Sequence, residues 1–178
     1  MEQRMRAEFT LVPIATLAIL SPVHATVYMS VEQAQKLMFP GASFTPDFRN
    51  LTREQAAAIR KASGVDVRSR NLKLWRASTG GWFIADEVVG KHNFIPFALA
   101  LDANGAVKSI EILEYREAYG DQVRNPAWRA QFSGKQHGAK LALTKDIQNF
   151  SGATLSSRHI TDGVKRLLAT YALVLAGD

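Results

Sequence analysis

The chain has 178 residues, of which 47% are hydrophobic, and it carries a formal net charge of +6 with no cysteine. This composition excludes a disordered chain, disulfide bonds, thiolate metal sites and c-type haem, and it is sufficient for one domain with a full core. The Lys and Arg residues are scattered along the chain rather than clustered, so we expect no nucleic-acid binding, and an acidic partner surface, an anionic lipid or a bound phosphate fits the charge better.

Residues 1–25 have the features of a secretory signal peptide. Arg4 and Arg6 precede an apolar run at 9–20, and a small-x-small cleavage pattern occupies 23–25. The run is shorter than the roughly 18 residues of a membrane helix. We therefore expect cleavage after Ala25, with an uncleaved anchor as the alternative. The expected location of the remaining domain, 26–178, is the periplasm, free or associated with the outer face of the inner membrane.

Two short helices are predicted at the start of this domain. Ser30 can cap the first helix, which ends before Pro40. Thr52 and Gln55 form a capping-box pattern for the second helix, which stops at Gly64.

Four strand-like segments separated by short turns follow the two helices. They span residues 72–76, 82–89, 94–101 and 107–114. Pro96 predicts that the third strand lies near an edge or a bulge. Strict alternation along the fourth strand would place Val107 and Leu113 on one face and Ile110 and Ile112 on the other.

A small, hydroxyl-rich stretch, Ser-Gly-Ala-Thr-Leu-Ser-Ser at 151–157, precedes the last helix. Apolar residues at three-and-four spacing then predict one helical face, formed by Ile160, Val164, Leu167, Leu168 and Tyr171. Thr154, Ser156 and Ser157 are the candidate N-caps. The predicted fold class is α+β: an antiparallel meander covered by helices, including this C-terminal amphipathic helix.

The start of this last helix is the first candidate functional site. A helix N-terminus presents free backbone N–H groups and the positive end of the helix dipole, which suit a phosphate or another anion. A plain capped helix is the alternative interpretation of the same residues.

The least regular segment, residues 115–144, is the second candidate site. Its candidate binding residues are Tyr115, Arg116, Glu117, Tyr119, Gly120, Trp128 and Lys135. Aromatic rings can contact a planar ligand, glycine permits close backbone approach, and cations stabilise negative charge. The alternative is a surface loop that Trp128 and Phe132 hold in place.

The stretch 151–157 resembles the flavinylation motif of the FMN-binding domain family. This family includes the flavin-carrying subunits of the sodium-pumping NADH:quinone reductase and of Rnf-type oxidoreductases. In the family, FMN is joined through a phosphoester to the last Thr of the motif, which corresponds to Thr154. The resemblance implies FMN as the cofactor and a separate flavin transferase as a partner. The further binding residues that it implies are Ser151, Gly152, Ala153, Leu155 and Ser156.

Two departures from the family pattern accompany this resemblance. Residues 117–120, Glu-Ala-Tyr-Gly, resemble the Glu-Thr-Pro-Gly stretch of the flavin pocket but replace its Thr-Pro. The relatives have Asp three residues before the Ser of the motif, whereas this chain has Gln148 there and Asp146 two residues earlier.

The sequence lacks the residue patterns of a metal site and of a nucleotide phosphate-binding loop. His92, His137 and His159 do not have metal-site spacing, and Gly134-Lys135 lacks the rest of a phosphate-binding loop. The resemblance implies an electron-transfer flavoprotein with a membrane-bound redox partner, a carrier or subunit rather than a stand-alone enzyme. A non-covalent flavin-binding or assembly module is the alternative. Arg116 and Lys135 are the cations that we expect near the flavin ring.

Overall fold

The structure is a computed structural model that describes residues 26–177. The predicted signal peptide, 1–25, lies outside the described residues. Among the residues that are described, no helix combines the length and the apolar character that crossing a membrane requires.

The secondary structure follows the predicted order of helices and strands. In chain order the elements are β1 (Thr26–Val27), α1 (Val31–Met38), β2 (Phe44–Pro46), β3 (Arg49–Asn50), α2 (Arg53–Ser63), β4 (Asn71–Ala77), β5 (Trp82–Val89), β6 (Phe94–Leu101), β7 (Val107–Ile112), β8 (Glu114–Tyr115), a 3₁₀ helix (Asp121–Arg124), α3 (Pro126–Ala130), α4 (Thr154–Thr170) and a π-helical turn (Tyr171–Leu175). The fold class is α+β with an antiparallel sheet and a C-terminal helix, as predicted.

The main sheet has the strand order β2-β4-β5-β6-β7, with β3 also paired to β4. Its long strands β4 to β7 form the predicted antiparallel meander. Strand β6 is internal, so the first predicted alternative, a position near an edge, is wrong. The second alternative, a bulge near this strand, is found in the β6–β7 ladder opposite Ala100 and Leu101. Pro96 lies beyond the last β6–β7 pair, Phe97 with Ile112, and therefore interrupts no position of that ladder.

Strand β7 contains a β-bulge that breaks the predicted alternation. Leu101 pairs with Val107 and Ala100 with Ser109, so one extra residue is inserted in β7. Val107 consequently belongs to the same core cluster as Ile110 and Ile112, which corrects the predicted face. The predicted strand also ends early, because β8 pairs with β1 rather than with β6.

Helices cover both faces of the sheet. On one face Ala34 and Phe39, from α1 and its C-terminal end, pack with Phe83 of β5. On the other face, α4 lies against the larger core cluster, which confirms that the C-terminal helix covers the sheet. Gly163 permits this close packing, since a Cβ there would lie 2.7 Å from a methyl group of Val88.

Helices α1 and α2 begin with complete capping boxes. Ser30 Oγ accepts from Gln33 N at 3.2 Å, and Ser30 N donates to the Gln33 side chain at 2.7 Å. Thr52 and Gln55 make the same pair of bonds at 3.1 and 2.9 Å. Both predicted helix starts are therefore confirmed.

Candidate functional site

The start of α4 differs from the prediction in its cap. The helix begins at Thr154, and its N-cap residue is Ala153, which makes no side-chain capping bond. Neither Ser156 nor Ser157 is the cap, because the helix starts before them and places both in its first turn. Among residues 26–177, no side-chain cap therefore accepts from the N–H groups of the first turn.

The Thr154 hydroxyl lies exposed at this loop-to-helix junction. It accepts a hydrogen bond from Asn149 Nδ2 at 3.1 Å and is 3.5 Å from the backbone oxygen of Phe150. Gly152 turns the chain just before it, with a φ of 86°. A Cβ on Gly152 would contact nothing within 4 Å, so the space around the turn is open.

A cavity of about 380 Å³ opens beside Thr154. Its lining residues are Lys91, Glu117, Tyr119, Gly152, Ala153, Thr154, Leu155 and Ser156. Seven of the predicted binding residues are thus brought together, from two segments that are distant in sequence. The volume is within the range of small-molecule sites, about 300 to 1,000 Å³.

The buried hydroxyl groups of Tyr115 and Ser156 connect the loop 117–120 to α4. Tyr115 donates its hydroxyl proton to the backbone oxygen of Tyr119 at 2.7 Å, and it lies 2.8 Å from Ser156 Oγ. Because a tyrosine has one hydroxyl proton, Ser156 is the donor in the second bond. Burial raises the pKa of Tyr115, which keeps its hydroxyl protonated.

Gly120 is required for this arrangement. Its φ is 102°, and a Cβ would lie 2.4 Å from the Tyr115 hydroxyl and 2.8 Å from Ser156 Oγ. Gly120 and Tyr115 therefore shape the cavity without lining it.

Glu117 forms one wall of the cavity and holds the turn that carries Lys91. Its Oε1 accepts from the backbone N–H groups of His92 at 2.6 Å and Asn93 at 2.8 Å. Burial alone would raise the pKa of Glu117, but these backbone donors outweigh it and leave the pKa below its usual value. Gly90 leaves room for the carboxylate, since a Cβ there would lie 2.4 Å from Oε1.

Besides Tyr115 and Gly120, four further predicted binding residues do not line the cavity. Trp128 is 1% exposed, stacks edge-on with Phe132 and donates from its ring nitrogen to the backbone of Gln148. Lys135 pairs with Asp146 at 3.6 Å, and Arg116 pairs with Glu114. Ser151 is exposed in the turn before α4. Within the described residues, Trp128 and Phe132 thus anchor a core segment, as the alternative interpretation of this loop proposed.

Two residues at the site were not predicted. Lys91 contributes the cation of the cavity lining, although its sequence position only indicates the end of a strand. Asn149 contacts the Thr154 hydroxyl, and its place five residues earlier gives no recognisable signal. Both become visible only when the chain is folded.

A larger groove of about 680 Å³ runs along α2. Its charged lining residues are Arg60, Lys61 and Asp66, and Arg60 and Asp66 form an exposed ion pair at 2.7 Å. None of the predicted binding residues lines this groove.

A comparison with known protein families gives a match, and it covers the region that contains the cavity at Thr154. Residues 90–169 match the family model of the FMN-binding domain. This part of the chain belongs to the FMN-binding domain family. All the lining residues of the cavity fall within the match, and FMN is the cofactor of the domain. No match was found among curated proteins.

The residues at the cavity fit FMN. The uncapped start of α4 and the Lys91 ammonium suit its phosphate, and the ring of Tyr119, which is 84% exposed, is available for its planar ring system. Asn149 Oδ1 and Ser157 Oγ are buried at the same junction without a hydrogen-bond partner among residues 26–177. The FMN-binding domain thus has unused hydrogen-bonding capacity beside Thr154.

Proposed function

We propose that the protein is an exported electron-transfer flavoprotein whose FMN is attached to Thr154 through a phosphoester. FMN, when bound, supplies one- and two-electron chemistry, and a membrane-bound redox protein is the partner that exchanges electrons with it. The role of the chain is to hold the cofactor, to orient it and to leave it accessible.

The exposure of Thr154 is the observation that carries this proposal. It is the first residue of a 17-residue helix, and it lines the cavity of about 380 Å³. Ser156 is 5% exposed and committed to Tyr115, and Ser157 is fully buried. Ser151 is exposed but does not line the cavity. Among these hydroxyls, Thr154 is the best placed acceptor.

Attachment requires an enzyme and a flavin donor. Thr154 Oγ would form a bond to the FMN phosphorus of FAD, the bond from that phosphorus to the bridging oxygen would break, and AMP would leave. The hydroxyl proton would pass to a base of the transferase, since the groups in contact with Thr154 are the amide of Asn149 and a backbone oxygen. The chain then gains the mass of FMN less one water.

Export gives a reason for the covalent bond. Outside the cytoplasm a dissociated cofactor would be lost without resupply, and residues 1–25 have the pattern of an export signal. The net charge of +6 favours an acidic partner surface or an anionic membrane surface.

If the protein is exported, N-terminal sequencing should find that the mature protein begins at Thr26. A retained Met1 would contradict this prediction.

Substitution of Thr154 by Val tests the attachment site. The change preserves the β-branched shape and deletes the oxygen, so Thr154→Val should fold normally and carry no covalent FMN when it is coexpressed with a flavin transferase. Intact mass and in-gel flavin fluorescence after denaturation measure the outcome. Ser151→Ala, which removes a nearby exposed hydroxyl, should remain modified.

Each alternative has its own result in this experiment. Covalent flavin on Thr154→Val would show that another oxygen is the acceptor. Flavin that leaves the wild-type protein on denaturation would instead favour the non-covalent binding module.

A further inference from the structure

Asn149 lies in the loop before α4 and contacts the proposed acceptor directly. Its Nδ2 donates to Thr154 Oγ at 3.1 Å. Its Oδ1 is buried and has no hydrogen-bond partner among the described residues. Because a buried amide oxygen without a partner lowers stability, folding alone does not account for an asparagine at this position.

The contacts of Thr154 fix the direction of its hydroxyl. A hydroxyl oxygen carries one proton and two lone pairs. Asn149 occupies one lone pair, and the proton is directed to the backbone oxygen of Phe150 at 3.5 Å. The other lone pair has no partner in these contacts. The branched Cβ of Thr154 limits the side chain to two common χ1 rotamers in a helix, and the bond to Asn149 favours the observed one.

Asp146, the acidic residue that most closely precedes the motif in sequence, is engaged in other contacts. The carboxylate of Asp146 accepts from the backbone N–H groups of Leu141 at 2.9 Å and Ala142 at 2.6 Å, and it also pairs with Lys135. These bonds hold the Asp146 carboxylate in its own turn. Burial alone would raise the pKa of Asp146, but the backbone donors outweigh it and lower the pKa below its usual value.

The loop that carries Asn149 is itself anchored. The backbone N–H of Gln148 donates to the Gln131 side chain at 2.7 Å, and its backbone oxygen accepts from Trp128 at 2.7 Å. The neighbouring Asn149 is therefore carried by a backbone segment that is fixed to the core.

We propose that Asn149 is a positioning residue that orients the Thr154 oxygen for attack on the phosphorus of the flavin donor. The inference rests on the proposed attachment of FMN to Thr154. Asn149 transfers no proton in that step. Its N–H can donate to the hydroxyl before attachment and to the ester oxygen afterwards, because an amide does not titrate.

The substitution Asn149→Leu tests this role in the full chain with a flavin transferase and FAD. Leucine has a similar branched shape, but it removes both the donor and the unpartnered oxygen. The midpoint of thermal unfolding should stay the same or rise. The kcat of attachment should fall about tenfold, as expected for one lost hydrogen bond, while the KM for the chain stays unchanged.

A matched control removes a similar amide bond elsewhere. Asn50 Nδ2 donates to Asn71 Oδ1 at 3.0 Å between β3 and β4. Asn50→Leu should leave the kcat of attachment at the wild-type value, which separates positioning from a general effect of losing an asparagine.

The outcomes distinguish this inference from the proposed function. An unchanged kcat in Asn149→Leu, with the wild type modified at Thr154, would overturn the inference and leave the proposed function intact. A fall in kcat that accompanies an equal loss of folded protein would assign Asn149 a purely structural role and also overturn it. Absence of covalent FMN on the wild type would overturn both.

Discussion

The starts of α1 and α2 differ from the start of α4 in how they are stabilised. Ser30 and Thr52 have extended backbones, with ψ of 167° and 168°, and each closes a capping box within four residues. Ala153 has a ψ of 16° and makes no side-chain cap. The first two helix starts are thus stabilised locally, whereas the start of α4 has no capping bond from its N-cap side chain.

Side-chain contacts, rather than a capping bond, hold the start of α4. Ser156 bonds to Tyr115, which lies 41 residues earlier in the chain. Thr154 is held by Asn149, and Gly120 makes room for the hydroxyl pair. We conclude that the N-terminal end of α4 depends on tertiary contacts, whereas the other two helix starts depend on local sequence.

The largest effect should come from filling the space at Gly120. Gly120→Ala places a methyl group against Tyr115 and Ser156 and forces a positive φ on a residue with a side chain. We expect it to lower the free energy of unfolding by about 3 kcal/mol, measured by urea denaturation.

Gly152→Ala is the control for this substitution. It imposes a similar positive φ, 86°, but its Cβ would enter open space. The expected cost is about 1 kcal/mol from backbone strain alone. Equal costs at the two glycines would show that the packing around Tyr115 and Ser156 contributes little to the start of α4.

A smaller effect should follow from changing the caps themselves. Thr52→Ala removes the α2 cap and should cost about 1 kcal/mol in the free energy of unfolding. Ala153→Ser supplies a hydroxyl to α4 but should not stabilise it, because the backbone at residue 153 does not aim that hydroxyl at the first-turn N–H groups. A gain of about 1 kcal/mol in Ala153→Ser would mean that α4 lacks only a suitable residue.

The smallest effect on the free energy of unfolding should come from Glu117 in the cavity wall, and it should depend on pH. The pKa of Glu117 in the folded protein is below its ordinary value of 4.5, so the ionised carboxylate stabilises the fold above that pH. This contribution should be lost as the pH falls through the lowered pKa. The wild type should therefore be more stable than Glu117→Gln at neutral pH, with a difference that shrinks in acid.

Equilibrium unfolding of both proteins across this pH range measures the difference. Comparison with the variant is necessary because the pKa values of Asp47 and Asp146 are also lowered. A difference that does not change with pH would show that the charge of Glu117 does not hold the turn at Lys91.

Much of the fold could be predicted because its signals are local. The bounds of β5 and β6 match the predicted segments 82–89 and 94–101, since turn residues delimit each strand. The capping boxes of α1 and α2 lie within four residues. The bulge in β7 was missed, because one inserted residue changes the face of Val107 without a distinctive sequence pattern.

The sequence predicted the motif at the candidate site but not all of the residues that surround it. The stretch 151–157 does end a loop and open a helix, because the apolar periodicity after it is strong. The composition of the segment 115–144 predicts one pocket of aromatic and cationic residues. Composition does not indicate where each side chain points. In the structure, Trp128 is buried in the core and Lys135 forms an ion pair with Asp146.

The sequence by itself determined the order of elements and the two capped helices, because each depends on neighbours within one or two turns of chain. The choice of Thr154 as the candidate attachment residue follows from the resemblance of residues 151–157 to the family motif. The tertiary structure decided that Glu117 fixes the turn of Lys91 beside the cavity and that Tyr115 ties the loop to α4. These bonds join residues that are 24 to 41 positions apart, so only packing of the helices against the sheet brings the partners together.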